Sequence, residues 1–144
     1  MTRQQLRQRY EKLDWTRQLG NLASTLARIA SCATDPRHDS LVTDLLREAA
    51  LFIEWSAPQV PTTLLPDLAA MQRELMAWRR GWPFERARPV MTLYARNASD
   101  RLLRMAGLVP TSQASATALR EQQQPYGNME MREPRSTPPG KEHQ

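Results

Sequence analysis

Two parallel stripes run through residues 15 to 34 at helical spacing. One is large and apolar: Trp15, Leu19, Leu22, Leu26, Ile29 and Ala33. One position further on, the same steps pick out only small residues: Thr16, Gly20, Ala23, Ala27, Ala30 and Thr34. A period of about 3.6 residues puts each set on its own line along a helix. Large side chains fill the space between helices, and small ones let a neighbouring backbone come close. The pattern therefore predicts a helix packed on two sides inside a bundle, with Arg17, Asn21, Ser24, Arg28 and Ser31 as its polar side.

The apolar line extends backward through Leu6, Tyr10 and Leu13, so the first helix is expected over Thr2 to Ala33. Asp14 is able to cap a new start, which places a candidate break at Leu13 to Trp15. Asp35-Pro36 ends the helix, because the residue before proline is pushed out of the helical region. A second helix is expected from Ser40 to Ser56, with Asp39 or Ser40 as N-cap and a wide apolar face of Leu41, Val42, Leu45, Leu46, Ala49, Phe52 and Ile53. Ala57-Pro58 closes it.

A third helix starts near Thr63, where Thr63 as N-cap puts Pro66 in the first turn, a position at which the missing N–H costs nothing. Its seam reads Leu64, Leu68, Met71, Leu75, Trp78, Trp82, the step pattern of the first helix, and that likeness makes the two expected packing partners. The small line through Gly20, Ala23, Ala27 and Ala30 would then admit a further helix. A fourth helix is expected from Pro89 to Ala106, with Met91, Ala95, Ala98, Leu102 and Met105 in line and Gly107 as its stop. The fold class is all-α: an up-and-down bundle of about four helices joined by short connections. The bundle domain is expected over 1–109. Residues 110–144 are expected to form a polar, proline-containing disordered tail, since Leu119 is its only leucine and it cannot bury enough apolar area to offset chain ordering.

Composition fits that picture, with glycine at 5 residues and few β-branched or aromatic side chains among abundant Leu, Ala, Arg, Gln and Glu. Cys32 is the only cysteine, so no intramolecular disulfide forms, and a reducing compartment is expected. The polar opening Met-Thr-Arg-Gln-Gln-Leu-Arg-Gln-Arg has no signal-peptide core, and no apolar run approaches the roughly 20 residues of a membrane span. The expected location is the cytoplasm.

The chemistry available is limited. His38 lies in a turn and His143 at the terminus, so neither can meet a buried carboxylate on a helix face, and no Ser/His/Asp set forms. A di-iron bundle needs Glu-x-x-His pairs, and the nearest match, Asp35-Pro-Arg-His38, is broken by Pro36. Cys32, at the end of the first helix with no carboxylate-oriented His to activate it, reads as a small packing residue rather than a nucleophile. The glycines are too dispersed for a phosphate loop. No metal or cofactor is expected. Glu48, Glu54, Asp67 and Glu74 are the carboxylates left for acid–base work, and each helix carries a nearby arginine, Arg47 or Arg73, for surface pairing instead.

The net charge of +5 is almost all arginine, with Lys12 and Lys141 the only lysines. Arginine codon preference in a GC-rich genome is the plain explanation. The densest non-core cluster is Trp78 to Arg88, with four arginines and three aromatics around a helix–loop–helix corner. Arg96, Arg101 and Arg104 follow on the fourth helix, and Arg3, Arg7, Arg9 and Lys12 form a second basic group. Arginine interleaved with aromatics suits a protein interface and also phosphate and base contacts. The bland alternative is that Trp78 and Trp82 are core and the arginines a solvated rim. The sequence points to a non-enzymatic interaction or adaptor protein that binds a protein partner through Arg79, Arg80, Trp82, Phe84, Arg86 and Arg88. Nucleic-acid binding through the same cluster is the second reading, and a homodimer is open if the apolar faces exceed what one bundle buries.

Overall fold

The computed structural model describes residues 1–108, which form five α-helices and no strand: α1 (Arg3–Glu11), α2 (Trp15–Cys32), α3 (Asp39–Ser56), α4 (Leu65–Gly81) and α5 (Arg88–Met105). Short 3-10 turns at Pro36–His38, Thr62–Leu64 and Glu85–Ala87 lead into α3, α4 and α5. The architecture is an all-helical bundle, consistent with up-and-down topology. The tail expected over 110–144 lies outside the described residues.

The first helix expected as one piece is two. Thr2 opens α1 with a capping box, its hydroxyl accepting from the Gln5 amide at 3.1 Å while the Gln5 side chain accepts from the Thr2 amide at 2.8 Å. Asp14 then caps α2, its carboxylate accepting from the Arg17 amide at 2.9 Å and the Thr16 hydroxyl at 3.0 Å. Those bonds hold the Asp14 carboxyl below its ordinary range. The break turns α1 onto α3. A polar knot fixes the turn: the buried Tyr10 hydroxyl donates to the Gln18 carbonyl at 2.8 Å and lies 2.6 Å from Ser56 Oγ, and the Gln18 side chain donates back to the Tyr10 carbonyl at 3.2 Å. Tyr10 stacks on Phe52 at 4.3 Å between ring centroids. Burial pushes the Tyr10 phenol well above its ordinary pKa, so it remains a hydroxyl donor at any working pH.

The core is the set of lines read from the sequence. Leu19, Leu22, Leu26, Ile29 and Ala33 are fully buried, with Trp15 packed at the edge. Val42, Leu45, Leu46, Ala49, Phe52 and Ile53 join them from α3, Leu68, Met71 and Leu75 from α4, and Met91, Ala95, Ala98 and Leu102 from α5. Truncating one such leucine to alanine costs about 2–5 kcal/mol, the transfer term plus the cavity left behind.

The packing order departs from expectation. α2 packs closely on α5 and α3, and α3 on α4, whereas α2 and α4 are not close neighbours. Shared spacing identified two inward-facing helices, but helices across a bundle share that spacing as readily as adjacent ones do. The small line on α2 receives α5: Ala23 and Ala30 are buried, the Ser99 hydroxyl donates to the Ala23 carbonyl at 2.8 Å, and Leu108 comes back to Gly20. Ala27 and Thr34, on the same line, are exposed.

Two helix starts also differ from expectation. His38 holds the N-cap position of α3 without a side-chain bond, and Asp39 is instead the first helical residue, its carboxylate engaged by α5. Thr63 lies in a 3-10 turn, and Leu64 precedes α4 in place of a polar cap, with Pro66 in the first turn as expected. The C-terminus of α5 matches expectation. Gly107 has φ +74°, its amide donates to the Arg104 carbonyl at 3.1 Å, and the Leu108 amide donates to the Leu103 carbonyl at 2.7 Å. This is the paired bonding of a glycine-terminated helix.

Gly20 and Gly107 should therefore respond oppositely to alanine. A methyl group at Gly20 meets Leu108 Cδ1 at 3.4 Å, an ordinary contact, in mid-helix. Gly20→Ala should raise stability by up to about 1 kcal/mol through helix propensity. Gly107→Ala should lower it by about 1 kcal/mol or more, because an L-residue is strained in the left-handed region. Chemical denaturation of both variants checks the signs.

Candidate functional site: the α4–α5 corner

The corner begins at the end of α4, where Gly81 is exposed and Trp82 leaves the helix in extended conformation. The Trp82–Pro83 peptide bond is cis. The 3-10 turn Glu85–Ala87 then feeds α5, with Pro89 in the first turn of the helix. Apolar residues have two fates here. Trp82 is buried, whereas Phe84 stays 58% exposed.

Arg88 is the residue that sequence placed on the partner surface and the structure places inside. Its side chain is 10% exposed. It grips the Asp39 carboxylate with two hydrogen bonds, at 2.7 and 2.8 Å, so that the guanidinium fork matches both oxygens. It also donates to the Ala33 carbonyl at 3.1 Å, just past the end of α2, and to Glu85 at 3.0 Å. Its guanidinium lies over the Trp82 ring, 5.2 Å from the centroid. One side chain thus joins the end of α2, the start of α3, the α4–α5 connection and the start of α5. Hydrogen bonding to Arg88 holds the Asp39 carboxyl below the usual carboxylate range. The Trp82 indole N–H is near enough to contribute to that lowering, but its geometry falls short of a hydrogen bond. Close by, hydrogen bonds from the Arg37 side chain push the Asp35 pKa down to about 2.

The other sequence-proposed residues separate by exposure. Arg80 and Arg86 are exposed, and Arg79 is half-buried with its Nε unpartnered. Among the described residues, ion pairs involve Arg7, Arg37 and Arg88, which leaves Arg80, Arg86, Arg96, Arg101 and Arg104 outside any pair. The charge is also localised. Residues 1–72 carry eight basic and eight acidic side chains, whereas Arg73 to Arg104 contribute eight arginines against Glu74, Glu85 and Asp100. The whole excess of +5 lies between Arg73 and Arg104, from the middle of α4 through the corner and α5.

An apolar groove of about 300 Å³ opens at this corner, lined by Trp78, Gly81, Trp82, Phe84 and Ala87, with Glu74 at its side. It exists because α4 and α5 do not pack closely: aromatic side chains span the gap. The Trp78 and Tyr94 rings meet at 5.9 Å, and the Tyr94 hydroxyl donates to Glu74 at 3.0 Å. Burial, then the Glu74 carboxylate, raise the Tyr94 pKa, so the bridge stays protonated. Val90 and Leu93, 56% and 59% exposed, form a separate apolar surface on α5, outside the groove lining. Sequence reading missed the groove and these two residues.

The remaining candidates stand apart. Glu48 accepts from Thr25 at 3.3 Å, Glu54 lines a groove beside α1, Asp67 is exposed in the first turn of α4, and Glu74 serves Tyr94. Arg7 pairs with Glu11 at 3.0 Å and lies over Trp55, which takes it out of the N-terminal basic group. Cys32 is half-buried, and among the described residues no three His, Cys, Asp or Glu side chains gather as a metal site. No described helix is long and apolar enough to cross a membrane. The fold and corner define a small helical bundle with a basic, aromatic edge. No protein-family model, curated protein or solved structure matches the chain.

Replacing Arg88 with methionine should lower the unfolding midpoint more than the same change at any exposed arginine of residues 1–108, since it strands Asp39 and the Ala33 carbonyl. The pH dependence follows from the lowered Asp39 pKa. Such a carboxylate contributes stability above its unfolded pKa of about 4, and that contribution is lost as pH falls through the folded value. The gap between wild type and Arg88→Met should therefore be widest near neutrality and narrow in acid, as followed by denaturation across a pH series.

Proposed function

We propose that this protein is a non-enzymatic interaction module, an adaptor working in the cytoplasm, that binds a protein partner through the α4–α5 corner. The observation that carries the reading is the coincidence, at one corner, of an apolar groove, the exposed Phe84, and exposed arginines that make no ion pair among the described residues. Exposed aromatics and arginines supply a large share of interface energy, because they bury area and make directed hydrogen bonds at low cost. In this reading Arg80, Arg86 and Phe84 contact the partner, Trp82 and Arg88 hold the corner in shape, and Arg79 lends its stem to the wall. Self-association through this edge is disfavoured by like charge on both copies.

The same concentration of charge favours a second reading, in which the edge binds nucleic acid. Binding would then fall steeply with salt as counterions are released. Against it, Glu74, Glu85 and Asp100 interrupt the basic edge, and the groove lining is apolar.

Affinity capture with the wild type and an Arg80→Glu/Arg86→Glu variant tests the first reading, because neither residue is buried or paired. The variant should keep its thermal midpoint within a few degrees and lose the captured proteins. Unchanged recovery by the folded variant contradicts the surface. A gel-shift series on the wild type tests the second, and no shift at low salt removes it.

A further inference from the structure

The bundle is closed on three sides by close helix pairs, α5 on α2, α2 on α3 and α3 on α4. The fourth side, between α4 and α5, lacks such a pair, and the groove lies at its corner end, lined by the last turns of α4, the loop and the 3-10 turn before α5. We propose that this groove is the seat of an acidic amphipathic helix from a partner protein, whose apolar residues enter between Trp78 and Ala87 while its carboxylates meet the arginines along the edge. The proposal rests on the protein-binding reading above and names the chemistry of the partner.

Three observations select that occupant. The first is shape: the last turns of α4 and the loop after it line an apolar trough, a surface that can receive an amphipathic helix through anchors at i, i+3 or i+4, and i+7. Phe84, in its lining, is a large apolar side chain left 58% exposed. The second is charge. Arg80 and Arg86 stand at the corner, and Arg101 lies seven residues past Tyr94 on the same line of α5. Its charge already acts on the Tyr94 hydroxyl. The acid nearest the trough, Glu74, is occupied by its hydrogen bond from Tyr94. The third is elimination among other occupants. A second copy would bring a basic edge against a basic edge. Residues 110–144 carry four basic and four acidic side chains, so they offer no complementary charge. Nucleic acid needs phosphate contacts along its length, and Glu74, Glu85 and Asp100 interrupt the basic edge.

The test uses the full chain and a designed probe. The probe is a helical peptide of about 16 residues with Leu and Trp at i, i+4 and i+7 and Glu on the remaining face. Its counterpart replaces every Glu with Lys, and a single-stranded oligonucleotide serves as a third ligand. Fluorescence anisotropy gives the affinities, and circular dichroism confirms folding of each variant. The acidic peptide should bind, weaken as salt rises, and exceed its basic counterpart by at least about tenfold. Phe84→Ala should weaken it about tenfold, as expected for an aromatic anchor. Arg80→Glu/Arg86→Glu should reverse the preference toward the basic peptide. Leu93→Ala, on the outer side of α5, should leave the affinity unchanged.

Equal binding of the two peptides overturns the acidic-partner proposal while leaving a protein-binding corner intact. An equal loss from Leu93→Ala overturns the groove as the seat. Preferential binding of the oligonucleotide overturns both this proposal and the protein-binding reading. Absence of binding by either peptide overturns the proposal, and the affinity capture above then decides the broader reading on its own.

Discussion

The Arg88 side chain is the constraint on which the functional end of this molecule depends. Helix termini leave carbonyl and amide groups without intrahelical partners, and three of them converge here. Arg88 supplies a donor for the Ala33 carbonyl beyond α2, a counter-charge for Asp39 at the start of α3, and a lid over the Trp82 ring. A lysine could not do this, because the carboxylate is held by a planar fork and the ring by a flat, weakly hydrated cation. With Arg88 engaged, Trp82 turns inward. Phe84, two residues on, is left outside, and Arg80 and Arg86 are exposed on either side of it in sequence.

At the opposite end the Tyr10 knot plays a comparable part with neutral groups. Tyr10 bonds both Gln18 and Ser56, joining three helices and folding α1 back onto α3. Between these two ends the packing is unequal. Small residues on α2 bring α5 close enough for a side-chain-to-backbone hydrogen bond from Ser99 to Ala23, whereas α4 and α5 are held apart by Trp78 and Tyr94. The same distribution of small and large side chains that tightens one seam leaves the other open. The groove thus follows from how the core is packed, and its basic rim follows from where the unpaired arginines fall.

Much of the fold could be read from periodicity, because burial is what periodicity reports. The lines Leu19 to Ala33, Leu68 to Leu75 and Met91 to Leu102 are core, and Gly107 is the stop of α5. Which helices touch was less legible, since spacing marks the inward side of a helix without naming its neighbour. The α2–α4 pairing expected from shared steps is absent for that reason, while α5 fits the small line. At the corner, the cluster from Trp78 to Arg88 was visible as composition, but its division into inner and outer residues was not. Arg88 and Arg86 look alike in sequence. They differ because Asp39, forty-nine residues away, lies within reach of one alone. Gln18, polar yet fully buried, was hidden in the same way, since its partner Tyr10 belongs to another helix.

The central claim is that Arg88 and Asp39 together shape the α4–α5 edge. Hydrogen–deuterium exchange of wild type and Asp39→Asn, resolved by segment, tests it most directly. Asparagine keeps the volume and removes the charge that the fork matches. The account predicts faster exchange confined to the end of α2, the start of α3 and residues 82 to 92, with the Tyr10 end of α1 and α3 unchanged. Unchanged exchange in residues 82 to 92, or a uniform rise across all five helices, would contradict it.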